Sequence, residues 1–285
     1  MALYAAKAEG RGVYRFFQPE MDARMRLRHE IEHELRDAIA AGELRLHYQP
    51  VVDVASGEIC GLEALLRWPH ARRGLVPPAE FISVAEESGL IIPLGEWVLR
   101  KAIADAASWP DHVRVAVNLS PVQFRSRDLA QTVIAACAAA RVAPARLELE
   151  VTEAAFLAAT KEVLATLDQL RALGVKIVMD DFGTGYSSLN YLRRFHFDKI
   201  KIDRSFVRDL SDDRNLSAVI IEAVVRLARA LDVTTTAEGV ETVAQLDLIR
   251  AAGVTEMQGW LYSPARPIDE IDALFAAEAR KSSAA

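Results

Sequence analysis

From residue 43 onward, short apolar runs alternate with longer segments of helical periodicity. Eight runs read as strands: 44–54, 58–67, 113–119, 146–152, 175–181, 198–203, 233–238 and 254–259. Helical patterns cover 93–108, 121–141, 157–173, 214–231, 240–252 and 267–280, with Pro121 and Pro267 at starts and Gly174 and Gly253 at stops. Eight strands, most of them followed by a helix, predict a (β/α)8 barrel. One link departs from that pattern. Between the first two strands lies only a turn around Ala55, Ser56 and Gly57. A parallel crossover needs a dozen or more residues, so this pair must be an antiparallel hairpin. The predicted fold is therefore α/β, a TIM-like barrel whose first strand is antiparallel. Ahead of it, residues 20–42 predict a connector helix with Met25, Ile31, Leu35 and Ile39 near one face and Gly42 as C-cap. Residues 1–19 read as the end of a preceding unit, 43–278 as the barrel and 279–285 as a frayed tail.

Chemistry in such barrels gathers at the C-terminal ends of the strands. Those positions hold Glu63, Asn118, Glu150 with Glu153 just beyond, Asp180 and Asp181, Lys201 and Asp203, Glu238, and Gln258. Val117, Leu119, Leu149 and Val151 are apolar, so alternation puts Asn118 and Glu150 on the opposite face, toward the barrel mouth. Singly, each acid reads as a helix cap or a surface ion pair. Five carboxylates at consecutive strand ends, with one lysine nearby, demand further positive charge. The donors are all oxygen, which suits Mg²⁺ or Mn²⁺. The adjacent pair Asp180–Asp181 could bridge two ions ~3.5–4 Å apart, as in in-line displacement at phosphorus. Lys201 could then orient a water or stabilise phosphoryl oxygens.

The stretch 180–192, DDFGTGYSSLNYL, reads either as a mobile loop over the mouth or as an ordinary βα turn. It shares DFG with protein kinases, but neither a kinase catalytic loop nor a Walker A sequence accompanies it. Arg67–Trp68 could hold a phosphate and stack a base, or pack as an ordinary rim Trp and ion pair. Gln49 could touch a base edge or serve as a plain strand-end amide, and His29 and His33, four apart on a helix, read as solvated residues.

Composition narrows the field. The chain is 51% hydrophobic and 26% charged, enough for a packed core, and lacks any apolar run near the ~20 residues that span a bilayer. No signal-peptide pattern opens it, and Cys60 and Cys137 suit a reducing compartment. A formal net charge of −6 argues against a polymeric nucleic acid as partner. A cytoplasmic protein making no membrane contact of its own is expected.

The motifs EALLRW (63–68), NLS (118–120), ELEVTE (148–153), DDFGTGYSSL (180–189), KIDRSFV (201–207), AEGVET (237–242) and QGWLYSP (258–264) together resemble the EAL-domain cyclic di-GMP phosphodiesterases of bacteria. The resemblance covers about residues 30–275, and residues 1–19 resemble the last helix and strand of a GGDEF domain without its signature. It implies a barrel with an antiparallel first strand, hydrolysis of cyclic di-GMP to linear pGpG with Mg²⁺ or Mn²⁺, and inhibition by Ca²⁺. By the same resemblance Glu63, Asn118, Glu150 and Asp180 would hold one ion, and Asp180, Asp181 and Glu238 a second. Lys201 would position the attacking water, with Glu238 either general base or ligand. Gln49, Arg67, Asp203 and Gln258 would contact substrate, and Glu153 would anchor the loop that starts at Asp181. The 181–195 loop and the following helix would form a homodimer contact. Relatives that only bind the nucleotide, as receptors or scaffolds, usually lack one of these acids, and here none is missing. Met257 and Trp260 depart from the expected pattern beside Gln258 and Gly259. A longer parent protein is also implied, whose N-terminal domains could sense a signal or anchor it to a membrane.

Overall fold

The computed structural model describes residues 19–126, 128–157, 159–183, 195–211 and 216–282. Most of the N-terminal stretch read as a GGDEF remnant, and most of the 181–195 loop assigned to a dimer contact, lie outside the described residues. Two compact units emerge: one holds the described residues up to Leu44 together with Arg67–Ile91, the other Arg45–Leu66 together with Ile92 onward.

The larger unit is the barrel. Its strands are β1 (Arg45–Asp53), β2 (Ile59–His70, which ends in the smaller unit), β4 (Arg114–Asn118), β5 (Leu147–Thr152), β6 (Lys176–Phe182), β7 (Lys199–Ile202), β8 (Thr234–Ala237) and β9 (Glu256–Gln258). They follow the order β1-β9-β8-β7-β6-β5-β4-β2, and the pairing of β1 with β2 closes the ring. From β2 through β9 neighbours run parallel, whereas β1 is antiparallel to β9, Val51 facing Gln258. The expected hairpin explains the inversion. Asp53 Oδ1 accepts from the Ala55 and Ser56 amides, and the Asp53 amide donates to Glu58 across the turn. A two-residue strand, β10 (Arg266–Pro267), pairs with the start of β1.

Where helices were expected, punctuation proved finer. The span 121–141 divides into a 3-10 turn (Pro121–Arg125) and α4 (Leu129–Ala140), because Ser120 and Gln123 form a reciprocal capping box that closes the first turn. The span 157–173 divides into α5 (Glu153–Leu157) and α6 (Lys161–Ala172), the latter capped by Thr160. The remaining barrel helices are α3 (Ile91–Ala106), α7 (Arg204–Arg208), α8 (Leu216–Ala230), α9 (Val243–Ala252) and α10 (Ile268–Ser282), the last continuing into the stretch expected to fray.

In the smaller unit, α1 (Pro19–Ala41) presents Ile31, Leu35 and Ala38 as its buried stripe and ends at Gly42 in the left-handed conformation. The end of β2 turns back into β3 (Gly74–Val76), and α2 (Pro78–Ser88) follows. That helix escaped the sequence pattern, although Pro at its first turn and Gly89 after its end mark it. Trp68 is fully buried here, edge-on to both His70 and Phe81, so it packs as core and stacks no ligand base. Glu34 of α1 pairs with Arg72 and Arg73 of the hairpin turn.

Candidate active site

Strand alternation sends every second residue of β5, β7, β8 and β9 into the barrel, and the interior is charged in two tiers. The lower tier consists of Arg114, Glu148, Lys199 and Glu256. Two residues farther along the same strands stand Glu150, Lys201 and Gln258, with Glu238 two residues beyond Thr236. Glu63 on β2, Asn118 on β4 and Asp180 on β6 complete the upper tier.

Lys201 is its centre. Only 1% exposed, its Nζ lies 2.7 Å from Glu238, 2.8 Å from Glu150, 3.3 Å from Asp180 and 3.5 Å from Glu63. Glu63 also accepts from Asn118 Nδ2 at 2.7 Å and Gln258 Nε2 at 2.6 Å. Gln258 Nε2 reaches Gln49 Oε1 at 3.2 Å, and Gln49 donates in turn to the Ser263 carbonyl. The Gln258 Oε1 is buried without a partner.

The electrostatics follow from burial against pairing. For Glu63, desolvation favours the neutral acid, but the Lys201 ammonium and two amide donors outweigh it and hold the pKa below normal. Glu150 is pushed well above the ordinary carboxylate value by burial and by the charges of Glu63 and Asp180, against the pull of Lys201. Burial, with Asp180 and Glu63 nearby, raises Glu238 to about 7 despite Lys201. Burial opposes the charge of Lys201, yet its acidic neighbours raise its pKa well above normal. A group so placed is a fixed cation.

A regular strand would send Asp180 and Asp181 to opposite faces. Instead, the β6–β7 register shifts between Met179 and Phe182, and Asp181 adopts φ +56°, a left-handed conformation rare outside glycine. This bulge re-aims Asp181, so that carboxylate oxygens of Asp180, Asp181 and Glu238 approach within 4.8 Å of one another. Such a trio fits a hard divalent cation. Just beyond, the Gly183 amide donates to buried Glu153 at 3.0 Å, tying the chain after the bulge to α5.

The acids open into a cavity of about 450 Å³ lined by Gln49, Asp203, Gln258 and, at its rim, Trp260, whose ring is 71% exposed. Asp203 lines the cavity while capping α7, its Oδ1 accepting from the Ser205 amide and hydroxyl. Arg67 lies on β2 within the smaller unit, half-buried. His29 and His33 pair with Glu32 and Asp37 on an exposed helix face.

The EAL domain family matches residues 32–265. The chain belongs to that family. It is 42% identical over 95% of its length to MucR of Pseudomonas aeruginosa, a bifunctional diguanylate cyclase/cyclic di-GMP phosphodiesterase, and 38% identical over 93% to the cyclic di-GMP phosphodiesterase PdeR of Escherichia coli. In each case it spans 40% of the relative's length. Among solved structures, the MucR phosphodiesterase in complex with c-di-GMP superimposes with a TM-score of 0.80 at 41% identity, covering 85% of this chain and 99% of that one. Among the described residues no helix is long and apolar enough to cross a membrane.

Proposed function

We propose that this chain is a metal-dependent phosphodiesterase that opens cyclic di-GMP to linear pGpG. The carrying observation is the upper tier: Glu63, Glu150, Asp180, Asp181 and Glu238 set five carboxylates against one ammonium. Formally that leaves four negative charges, the complement of two divalent ions. The oxygen-only donor set suits Mg²⁺ or Mn²⁺, with Asp180, Asp181 and Glu238 as ligands of one ion. Glu63, Asn118, Glu150 and Asp180 would be the ligands of another by family resemblance, with Glu63, Glu150 and Asp180 gathered around Lys201. Bound there, the ions would supply Lewis acidity toward a phosphoryl oxygen and a more acidic water.

The chain's own groups do the rest. Glu238, 2.7 Å from Lys201 and lining the cavity, takes the proton of the attacking water. The water oxygen bonds to phosphorus, the bond from phosphorus to the 3′ oxygen breaks, and that oxygen takes up the proton held by Glu238 and leaves as a neutral hydroxyl. Lys201 holds the acids in place and orients the water. Gln49 and Gln258 border the cavity with amide groups for the nucleotide, Gln258 Oε1 being a free acceptor. Similarity to the MucR complex supports the choice of ligand.

The test is incubation with cyclic di-GMP and Mg²⁺, Mn²⁺ or Ca²⁺, followed by chromatography. Appearance of pGpG with the first two ions and its suppression by Ca²⁺ is expected. Tight nucleotide binding with no pGpG under any ion would instead make the chain a receptor.

A further inference from the structure

Lys201 does more than neighbour the acids: one ammonium, with three protons, lies within 3.5 Å of four carboxylates, three on β2, β5 and β6 and one just past the end of β8. Lys201 stands on β7, a strand hydrogen-bonded on either side whose opposite face is anchored by the fully buried Ile200 and Ile202. Among the described residues, the ion pairs of these four acids are all with Lys201. The contacts with Glu238 and Asp180 engage two of the three carboxylates of the cation-ready trio.

Resting on the metal-dependent reading above, we infer that Lys201 is an internal counter-cation that competes with divalent ions for this site. It keeps the acids together, and by its charge it weakens their hold on the metal. In a buried site two cations a few ångströms apart repel strongly, and the acids divide their attraction between them. Metal occupancy then follows the surrounding ion concentration, where an all-acid cage would saturate.

The experiment is a Mn²⁺ titration followed by calorimetry, on the whole chain and on Lys201→Met and Lys201→Arg, with thermal melts in parallel. Lys201→Met should bind Mn²⁺ at least about tenfold more tightly, melt lower without metal, and gain a larger rise in melting temperature from Mn²⁺ than the parent. Lys201→Arg, which keeps the charge, should keep the weaker affinity. Should Lys201→Met prove insoluble, Lys201→Gln removes the charge while keeping a donor, and the same tightening is expected. A folded neutral variant with unchanged or weaker affinity overturns the inference and leaves the metal site standing. Absence of Mn²⁺ binding in every variant and the parent overturns the metal-dependent reading, and this inference with it.

Discussion

The two charged tiers of the barrel share strands and burial, and they differ in balance. In the lower tier Arg114 meets Glu148 at 2.9 Å and Glu256 at 2.5 Å, and Lys199 meets both at 2.7 Å. Two cations and two acids close a neutral ring, with Thr236 donating to Glu256. There the paired charges satisfy one another: Glu256, despite burial, is held below the normal carboxylate value by Lys199 and Arg114. Cys60 beside the ring is pushed up to about 12, chiefly by burial, and is an inert thiol. One layer farther toward the mouth, the upper tier, with Asp181 brought in by the bulge, has one cation for five acids, and Glu150 and Glu238 are driven upward. Burial of charge alone therefore does not mark a site; the uncompensated remainder does.

The comparison breaks most visibly by substitution on either side. Asp180→Asn should lower kcat by roughly 10²–10³-fold with the melting temperature held or raised, since it relieves repulsion. Lys199→Met should do the reverse: about 3–5 kcal/mol less stability from the stranded acids, with turnover per folded molecule preserved. Urea titration and steady-state assays on both variants decide the matter, and a loss of kcat in a fully stable Lys199→Met chain would make the lower tier part of the machinery.

A smaller effect is expected at Gly259. A Cβ there would fall 2.1 Å from the Val240 carbonyl oxygen, because the backbone after Glu238 crosses it directly. Gly259→Ala should displace Glu238 and reduce kcat about tenfold, more than it changes KM. The smallest effect is in pH. Glu238 holds its proton to about pH 7 when folded but only to its ordinary value of 4.5 when unfolded. The folded state thus binds more protons between those values, and metal-free stability should fall as pH rises through that window. Denaturant midpoints measured from pH 4.5 to 7.5 should show this decline, and Glu238→Gln should flatten it.

Much of the upper tier was legible because Glu63 and Glu150 stand between apolar neighbours, and Asp180 and Glu238 follow apolar residues at strand ends. The hairpin was legible from a three-residue link too short to cross the barrel. Other features depend on contacts that periodicity does not carry. Asp181 reaches the cavity only through a bulge, and nothing local announces a left-handed aspartate. Glu148 and Lys199 repeat the charges of Glu150 and Lys201 at a spacing of two, a signal that was present but attracts attention only once both strands are seen side by side. For Trp68 the sequence left stacking and core packing open; burial decides for packing, and the exposed indole at the cavity is that of Trp260. Asp203 lines the cavity and also caps α7, a second duty that only the Ser205 contacts reveal.

The family match stops at 265, but β10 covers the backbone of His47 and Tyr48, and Glu278 of α10 accepts from the Ile59 amide at 2.5 Å. A chain trimmed to the homologous boundary would bare a raw strand edge at the barrel's seam, a template for sticking to its own copies. Insolubility of such a fragment would report a missing hem, with the fold itself sound.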